Sequence, residues 1–321
     1  MQRKNFSIEH TDIVACIWDF DKTLSPDYMQ APLFKEYGLD LNVFWKEVNA
    51  LPEYYEKLGI RLSDDSAAVN HLLTYVKSGL LPGLSNKKLR EAGAKVKFFP
   101  GLPEFFQKLK HFVAEKYGDQ NIVLEHYIVS NGIAEIIRGT AVAPYVDGVF
   151  ACEFIETPLG PGYLESDADV ESGSVGISQS AFIVDNTQKT RCIFEINKGC
   201  NKDKGISLSS KMSKSDRRIP MNNMIYIADG PSDVPAFAVV RQGGGLGFAV
   251  YNEDSDPQFE QADRMLAENR IDAYGPANYT KGSSTVRWIK LHLSMICDRI
   301  CQENAQAKAN AIGYAPIHIK D

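Results

Sequence analysis

A short motif, WDFDKTL at residues 18–24, constrains the fold more than any other feature of this chain. It ends an apolar run over residues 13–20, whose β-branched and aromatic residues predict a buried strand. Buried strands of this kind occur in parallel sheets with helices on both faces. Because such sheets bind ligands beyond the carboxyl ends of their strands, we expect Asp19 and Asp21 at the ligand-binding edge. The pair alone is also compatible with a solvated turn or a helix cap.

Strands and helices alternate along most of the chain, which predicts a mostly parallel sheet covered on both faces. Further strands are predicted at residues 122–129, 149–155, 182–184 and 224–228, with an edge strand at 246–251. Helices are predicted at residues 103–117, 133–139 and 188–197, followed by a long C-terminal helix from 283 to about 311. The segment 157–180 is predicted to be a loop or flap, and the polar, basic segment 201–223 is predicted to be an exposed insertion.

Residues 25–97 have a different pattern, because their apolar residues recur at helical spacing. The pattern is formed by Phe34, Tyr37, Leu41, Phe44 and Val48 in one segment, and by Val69, Leu72, Leu73 and Val76 in another. We therefore predict an all-helical domain at residues 25–97, inserted into an α/β core that consists of residues 1–24 and 98–321.

Two further motifs place polar side chains where predicted strands end. The sequence YIVSNG ends in Ser130, Asn131 and Gly132, and IYIADGPSD contains Asp229 and Asp233. A hydroxyl and the N–H groups of a helix start are suited to a phosphoryl oxygen. Carboxylates are suited to Mg²⁺. Taken singly, each motif is also compatible with ordinary helix capping or turn formation.

A lysine at a helix start lies between these two motifs. Lys189 follows the strand predicted at residues 182–184 and begins the next helix, while Lys198, Lys202 and Lys204 are alternatives. A single lysine is most often a solvated surface charge, so its assignment depends on the rest of the pattern.

The order of the four motifs, DxDxT, Ser, Lys and DxxxD, resembles that of the haloacid dehalogenase superfamily. The resemblance covers residues 14–24 and 98–251, and DFDKT is its most diagnostic part. It implies a Rossmann-like, three-layer α/β/α core. The helical insertion is placed like the cap of the phosphoserine-phosphatase-like branch, and KFFPGLPEFFQKLK resembles the return from cap to core. Two features depart from the pattern: Ala228 replaces the usual glycine, and a long basic excursion separates the lysine from Asp229.

The resemblance implies a role for each motif residue. Asp19 is expected to be the nucleophile that forms an aspartyl-phosphate, and Asp21 the general acid and base. Lys189 is expected to pair with Asp19 and with the phosphoryl oxygens. The implied phosphate-binding group is Ser130, Asn131, Gly132 and Thr23, of which Thr23 supports the loop. The implied metal ligands are Asp19, Asp21 through its backbone carbonyl, Asp229 and Asp233, the last of which holds either the metal shell or Lys189.

The charge of this site favours a divalent cation independently of the resemblance. Several carboxylates repel a phosphate dianion, and each unit-charge pair about 4 Å apart contributes roughly 4 kcal/mol at an effective dielectric near 20. A divalent cation together with a lysine makes the site suitable for phosphate, so we expect Mg²⁺ as cofactor.

Composition argues against several other classes of protein. With 44% hydrophobic and 24% charged residues, the chain has ordinary globular composition. No apolar stretch reaches the roughly 18 residues of a membrane span. The formal charge of −6 argues against a broad basic face for nucleic acid. Six cysteines without a CxxC pair predict free thiols, and the N-terminal sequence lacks a signal-type apolar region, so we expect a cytoplasmic location.

Together these observations predict a Mg²⁺-dependent phosphatase that hydrolyses a small phosphate monoester. A small phosphorylated metabolite is the expected partner, with no nucleic acid or membrane, while the oligomeric state is not specified. A cap of this size is expected to close over the site, where Trp45, Tyr54 and Tyr55 either face the substrate or pack inside the cap. A phosphotransferase or phosphomutase on the same core is the first alternative. A non-catalytic binding protein is the second, which the full set of motif residues disfavours.

Overall fold

Strand β1 (Asp12–Trp18) lies at the centre of the sheet, as expected for a strand whose side chains are nearly all buried. The computed structural model describes residues 12–164 and 176–312. Within these two ranges the other strands are β2 (Ile122–Ile133), β3 (Gly148–Ile155), β4 (Gln179–Phe182), β5 (Met224–Ala228), β6 (Leu246–Tyr251) and β7 (Ala273–Pro276). The seven described strands form one sheet in the order β4-β3-β2-β1-β5-β6-β7. Only the β3–β4 pair in this sheet is antiparallel.

Helices connect the strands of the described chain. Four of them, α1 (Ala31–Glu36), α2 (Leu41–Glu56), α3 (Asp64–Lys77) and α4 (Asn86–Gly93), follow β1. The others are α5 (Glu104–Tyr117), α6 (Ala134–Arg138), α7 (Asn186–Lys198), α8 (Val234–Gln242), α9 (Asp256–Ala267) and α10 (Ser284–Ile312). No helix of the described ranges combines the length and the apolar character that a membrane span requires.

Aromatic packing shows that helices cover both faces of the sheet. Trp18 on β1 packs edge-on against Phe106 of α5, with ring centres 5.2 Å apart. Tyr226 on β5 pairs in register with Ile17, the neighbour of Trp18, and therefore points to the opposite face. There its ring lies 5.3 Å from that of Phe237 on α8. The predicted α/β fold with a mostly parallel, three-layer core is confirmed.

One prediction about the sheet is wrong. Strand β6 is not an edge strand, because β7 pairs with it in parallel from Phe248 to Tyr251. Strand β7 has the sequence AYGP, and a four-residue segment with glycine and proline carries no strand signal. The strand predicted at 182–184 lies earlier, as the antiparallel edge strand β4. Within the loop predicted at 157–180, residues 165–175 lie outside the described residues.

The four helices after β1 pack on one another and on the core. Phe44 of α2 lies between Phe34 of α1 and Tyr75 of α3, with ring centres 4.9 and 5.3 Å away. Helix α4 touches α6 of the core backbone to backbone, since a Cβ atom on Gly93 would lie 2.0 Å from the Ile136 carbonyl oxygen. The insertion is therefore anchored to the core through α4.

Candidate active site

Lys189 joins two aspartates at the centre of the candidate site. Its Nζ donates to Asp19 Oδ1 at 2.9 Å and to Asp233 Oδ1 at 2.7 Å. Asp19 follows β1, Lys189 lies near the start of α7, and Asp233 precedes α8. The Asp185 side chain caps α7 and so sets where that helix begins. Because Lys189 is only 1% exposed, its charge depends on these two carboxylates.

Asp233 is held by three donors, which identifies it structurally as the anchor of Lys189. Its Oδ1 also accepts the hydroxyl of Tyr226 at 2.6 Å, and its Oδ2 accepts the hydroxyl of Ser232 at 3.0 Å. Asp233 is fully buried, so these bonds replace its hydration. Of the two roles considered for Asp233, holding Lys189 is the one that these contacts display.

The loop after β1 brings Asp21 close to Asp19 and Lys189. Lys22 adopts a left-handed backbone with φ of 60°, which reverses the chain between Asp21 and Thr23. The Tyr279 hydroxyl donates to the Thr23 carbonyl at 2.6 Å and fixes the far side of this turn. The N–H of Met29 donates to Asp21 Oδ1 at 2.8 Å, so one carboxylate oxygen of Asp21 is occupied by the backbone.

The YIVSNG motif lies inside β2, which continues to Ile133 beyond its last pairing with β1 at Ile128. The Ser130 hydroxyl accepts the N–H of Gly132 at 3.1 Å. The Asn131 amide nitrogen donates to the Asn186 side chain at 2.9 Å. The site therefore presents these three motif residues from a strand end rather than from a helix start.

A cavity of about 200 Å³ connects the motifs to the inserted helices. Its acidic floor consists of Asp19, Asp21, Ser130, Lys189 and Asp229. Its apolar roof consists of Phe44 and Trp45 from α2 and Ala68, Val69 and Leu72 from α3. Gln30, which precedes α1, lies at the edge of the roof, and Lys22 lies on the floor side. The other lining residues are Tyr28, Asn131, Gly132, Ile133, Phe154 and Ser232.

Burial is the main cause of the shifted pKa values of the floor aspartates. It raises the pKa of Asp21 well above its usual range, and Asp19 adds to this effect. It raises the pKa of Asp229 to about 8, with help from Asp19 and Asp233. It also raises the pKa of Asp19, to about 6, although Lys189 acts in the opposite direction. Burial acts to lower the pKa of Lys189, but its two carboxylates raise it above the ordinary value, so the lysine stays charged.

Three of the acids lie close enough together to share a cation. Asp19, Asp229 and Asp233 each offer a carboxylate oxygen, and these oxygens lie within 4.8 Å of one another. The part of the chain that the structure describes supplies no hydrogen-bond donor to the Asp229 carboxylate. A carboxylate that is half-buried and without a donor fits a hard cation such as Mg²⁺.

The structure brings together the residues that the motifs single out. Asp19, Asp21, Ser130, Asn131, Gly132, Lys189 and Asp229 all line the cavity, and Asp233 and Thr23 lie directly behind it. Lys198, the alternative lysine, lies away from the cavity and donates to the carbonyls of Leu208 and Ser210. Sequence reasoning missed Tyr226 and Gln30. Tyr226 lies within the IYIADGPSD segment, but there it reads as an ordinary strand residue, and Gln30 precedes a short helix and belongs to no motif.

Comparison with known proteins identifies a relative at the level of sequence. The chain matches no protein-family model. It is 38% identical over 285 residues to an uncharacterized protein of Borreliella burgdorferi, which covers 88% of this chain and 96% of the relative. The chain belongs to the same family as this Borreliella protein.

Solved structures show a looser likeness in shape. A HAD-family hydrolase from Salmonella enterica serovar Typhi has a TM-score of 0.48 and 13% identity, covering 82% of this chain and 67% of that one. An apo phosphoserine phosphatase has a TM-score of 0.46 and 15% identity, covering 82% and 93%. The order of the strands and the four motifs at neighbouring strand ends have the arrangement expected from the sequence. This is the arrangement that the resemblance to the haloacid dehalogenase superfamily implies.

Proposed function

We propose that this protein is a phosphatase that hydrolyses a small phosphate monoester through a phosphorylated Asp19. The observation that carries the proposal is the meeting of Asp19, Asp21, Lys189 and Ser130 at one small cavity. A nucleophile, a proton donor, a cation and a hydroxyl at one place are what phosphoryl transfer requires.

The proposed reaction has two steps. In the first, an oxygen of Asp19 attacks phosphorus while Asp21 gives a proton to the leaving alcohol oxygen. The raised pKa of Asp21 supports this role, and Oδ2 carries the proton because Oδ1 accepts the Met29 N–H. In the second step, Asp21 removes a proton from a water molecule, which attacks phosphorus and releases inorganic phosphate and free Asp19. Lys189 and Ser130 bind the phosphoryl oxygens throughout.

Mg²⁺ is part of the proposal. Asp19 and Asp229 would hold the ion together with the Asp21 backbone carbonyl, while Asp233 holds Lys189. When bound, the ion offsets the negative charge that the transferring phosphoryl group adds to an acidic site. Among the described residues that line the cavity, the cations Lys22 and Lys189 do not balance the charge of the floor carboxylates and a phosphate dianion together.

We also propose that residues 25–97 form a cap domain that covers the reaction. The roof of the cavity comes entirely from α2 and α3 of this segment. Closing such a roof over the floor excludes bulk water and strengthens the electrostatic interactions inside.

The proposal is tested by measuring phosphate release from a panel of phosphorylated metabolites and one aryl phosphate, in water without an acceptor alcohol. We expect turnover with Mg²⁺, loss of turnover with EDTA, and a decrease of about a thousand-fold or more in Asp19→Asn. Circular dichroism serves as the control for folding of the variant. Folded, Mg²⁺-loaded protein that releases no phosphate from any compound would contradict the proposal, and transfer only to an added alcohol would favour a phosphotransferase.

A further inference from the structure

The roof and the floor of the cavity differ in charge. All charged side chains among the described residues that line the cavity belong to the floor side: Asp19, Asp21, Lys22, Lys189 and Asp229. The roof contributes two aromatic and three aliphatic side chains and no charge. The phosphoryl group must lie against the floor, so the rest of the substrate lies against the roof.

The two cations that line the cavity both interact with carboxylates of the floor, since Asp229 and Asp21 contribute to raising the pKa of Lys22. Lys189 is bound by Asp19 and Asp233. Lys22 Nζ donates to the Tyr28 hydroxyl at 3.2 Å and lies 4.6 Å from the centre of the Tyr28 ring. A leaving group with its own carboxylate or ammonium would therefore lose its hydration against the roof without a matching charge.

Among the described residues, buried polar atoms of Gln30 and Trp45 in the cavity wall lack a hydrogen-bond partner. They are the side-chain oxygen Oε1 of Gln30 and the indole nitrogen Nε1 of Trp45. Gln30 is only 8% exposed and both residues line the cavity, so a group bound in the cavity can supply the missing partner. Leaving a buried donor or acceptor unpaired is unfavourable, and a ligand that supplies the partner gains from it.

The cavity is also small. Its volume of about 200 Å³ is below the roughly 300–1,000 Å³ of pockets for drug-sized ligands. A phosphoryl group on the floor leaves space for a compact organic group beneath Phe44, Val69 and Leu72. The small volume and the apolar lining thus favour a compact, apolar leaving alcohol, which agrees with the absence of charge on the roof.

We propose that the roof selects a phosphate monoester whose leaving alcohol is uncharged, has a compact apolar body and carries one hydrogen-bonding substituent. Gln30 and Trp45 are the specificity-determining residues that pair with that substituent. This inference rests on the proposed phosphatase function. It predicts that phosphoserine, whose leaving group carries an ammonium and a carboxylate, is a poor substrate.

The test compares kcat/KM for phenyl phosphate, for the 3- and 4-hydroxyphenyl phosphates, and for O-phospho-L-serine. We expect the better hydroxyphenyl phosphate to exceed phenyl phosphate by about five- to tenfold, which is the effect of one buried hydrogen bond. Phosphoserine is expected at least about tenfold below phenyl phosphate, because its charges lose hydration.

The variant Trp45→Phe keeps an aromatic ring and removes the N–H group. It is expected to lower kcat/KM for the hydroxyphenyl substrate about five- to tenfold more than for phenyl phosphate. A purely structural role of Trp45 would lower both substrates alike, and that result would overturn the assignment. Tyr54→Phe is the matched control on the same helix, since Tyr54 is 62% exposed and does not line the cavity.

The outcomes separate the two proposals. Hydrolysis of no compound by folded, Mg²⁺-loaded protein would contradict the phosphatase function itself. Hydrolysis that depends on Asp19 but prefers phosphoserine would overturn only the inference about the roof. A preference for phosphoglycolate that Lys22→Met abolishes would also overturn it, because Lys22 would then pair with a substrate carboxylate.

Discussion

At the floor of the cavity, Lys189 pairs with Asp19 and with Asp233 behind it, so that three elements are joined through polar atoms. The roof and its edge present apolar side chains and, among the described residues, the unpaired atoms Gln30 Oε1 and Trp45 Nε1. The floor is thus organised before any substrate binds, which is what electrostatic catalysis requires. The contrast suggests that the floor carries the chemistry and the roof carries the selection.

Replacing Lys189, which joins Asp19 and Asp233, is expected to have the largest effect on the organised floor. In Lys189→Met, Asp19 and Asp233 are buried side by side without their shared ammonium, so we expect a loss of about 3–5 kcal/mol in the free energy of unfolding. Turnover should fall at least about a hundredfold. Urea denaturation measures the first effect and phosphate release the second.

Two further variants make this prediction specific. The double variant Lys189→Met with Asp233→Asn leaves only one of the two buried carboxylates, so the repulsion between them is removed. It should recover part of the lost stability and none of the turnover. Lys198→Met, on the same helix but away from the cavity, should keep turnover within about twofold. Wild-type stability in Lys189→Met would show that the buried ion pair does not hold the floor together.

Removing a roof side chain is expected to act locally. Phe44 is 2% exposed and packs between Phe34 and Tyr75, so Phe44→Ala should cost about 3–5 kcal/mol within the inserted helices. If residues 25–97 are a separate cap, amide hydrogens of α2 and α3 will exchange faster while those of β1 and β2 keep their protection. Val43→Ala, at an exposed position of the same helix, is the control. Equal loss of protection in α2 and β1 would contradict a separate domain.

Much of the floor could be predicted from the sequence because its residues occur in short motifs at the ends of apolar strands. Asp19, Ser130 and Asp229 are each placed by a strand that the apolar pattern identifies. The position of Lys189 at a predicted helix start favours it over the other lysines, and the capping of that helix by Asp185 gives this position its physical cause.

The roof and the sheet edge could not be predicted in the same way. The sequence is compatible both with a Trp45 that faces the substrate and with one that packs inside the cap, because helical periodicity alone does not distinguish these positions. Gln30 precedes a six-residue helix and belongs to no motif. Strand β7 is too short for a periodic signal, and pairing with β6 rather than local propensity makes it a strand.

Acid pH should weaken the support beneath the floor. His126 accepts the indole N–H of Trp18 at Nδ1 and contacts the Phe106 carbonyl through Nε2, so its ring is neutral. Burial lowers its pKa to about 3, against 6.5 in an unfolded chain. Because the unfolded chain binds the extra proton, stability falls as pH decreases below 6.5. At pH 5 the loss from this residue is about 2 kcal/mol, at 1.36 kcal/mol per pKa unit.

Urea unfolding at pH 7.5 and pH 5 measures this effect. The wild-type protein should lose about 2 kcal/mol more than His126→Gln between the two pH values. The control is His111→Gln, because the His111 side chain is 71% exposed. An equal decrease in wild type and His126→Gln would show that another group is responsible for the acid sensitivity.

The central claim is that Asp19 accepts the phosphoryl group and that Asp21 activates the water that removes it. The most direct measurement is mass spectrometry of acid-quenched Asp21→Asn after mixing with an aryl phosphate and Mg²⁺. A phenolate leaves without a proton donor, so the first step proceeds in this variant while the second is slowed. We predict about one phosphoryl group per chain, on the peptide that contains Asp19. A phosphoryl group on another residue, or wild-type turnover in Asp21→Asn, would contradict the claim.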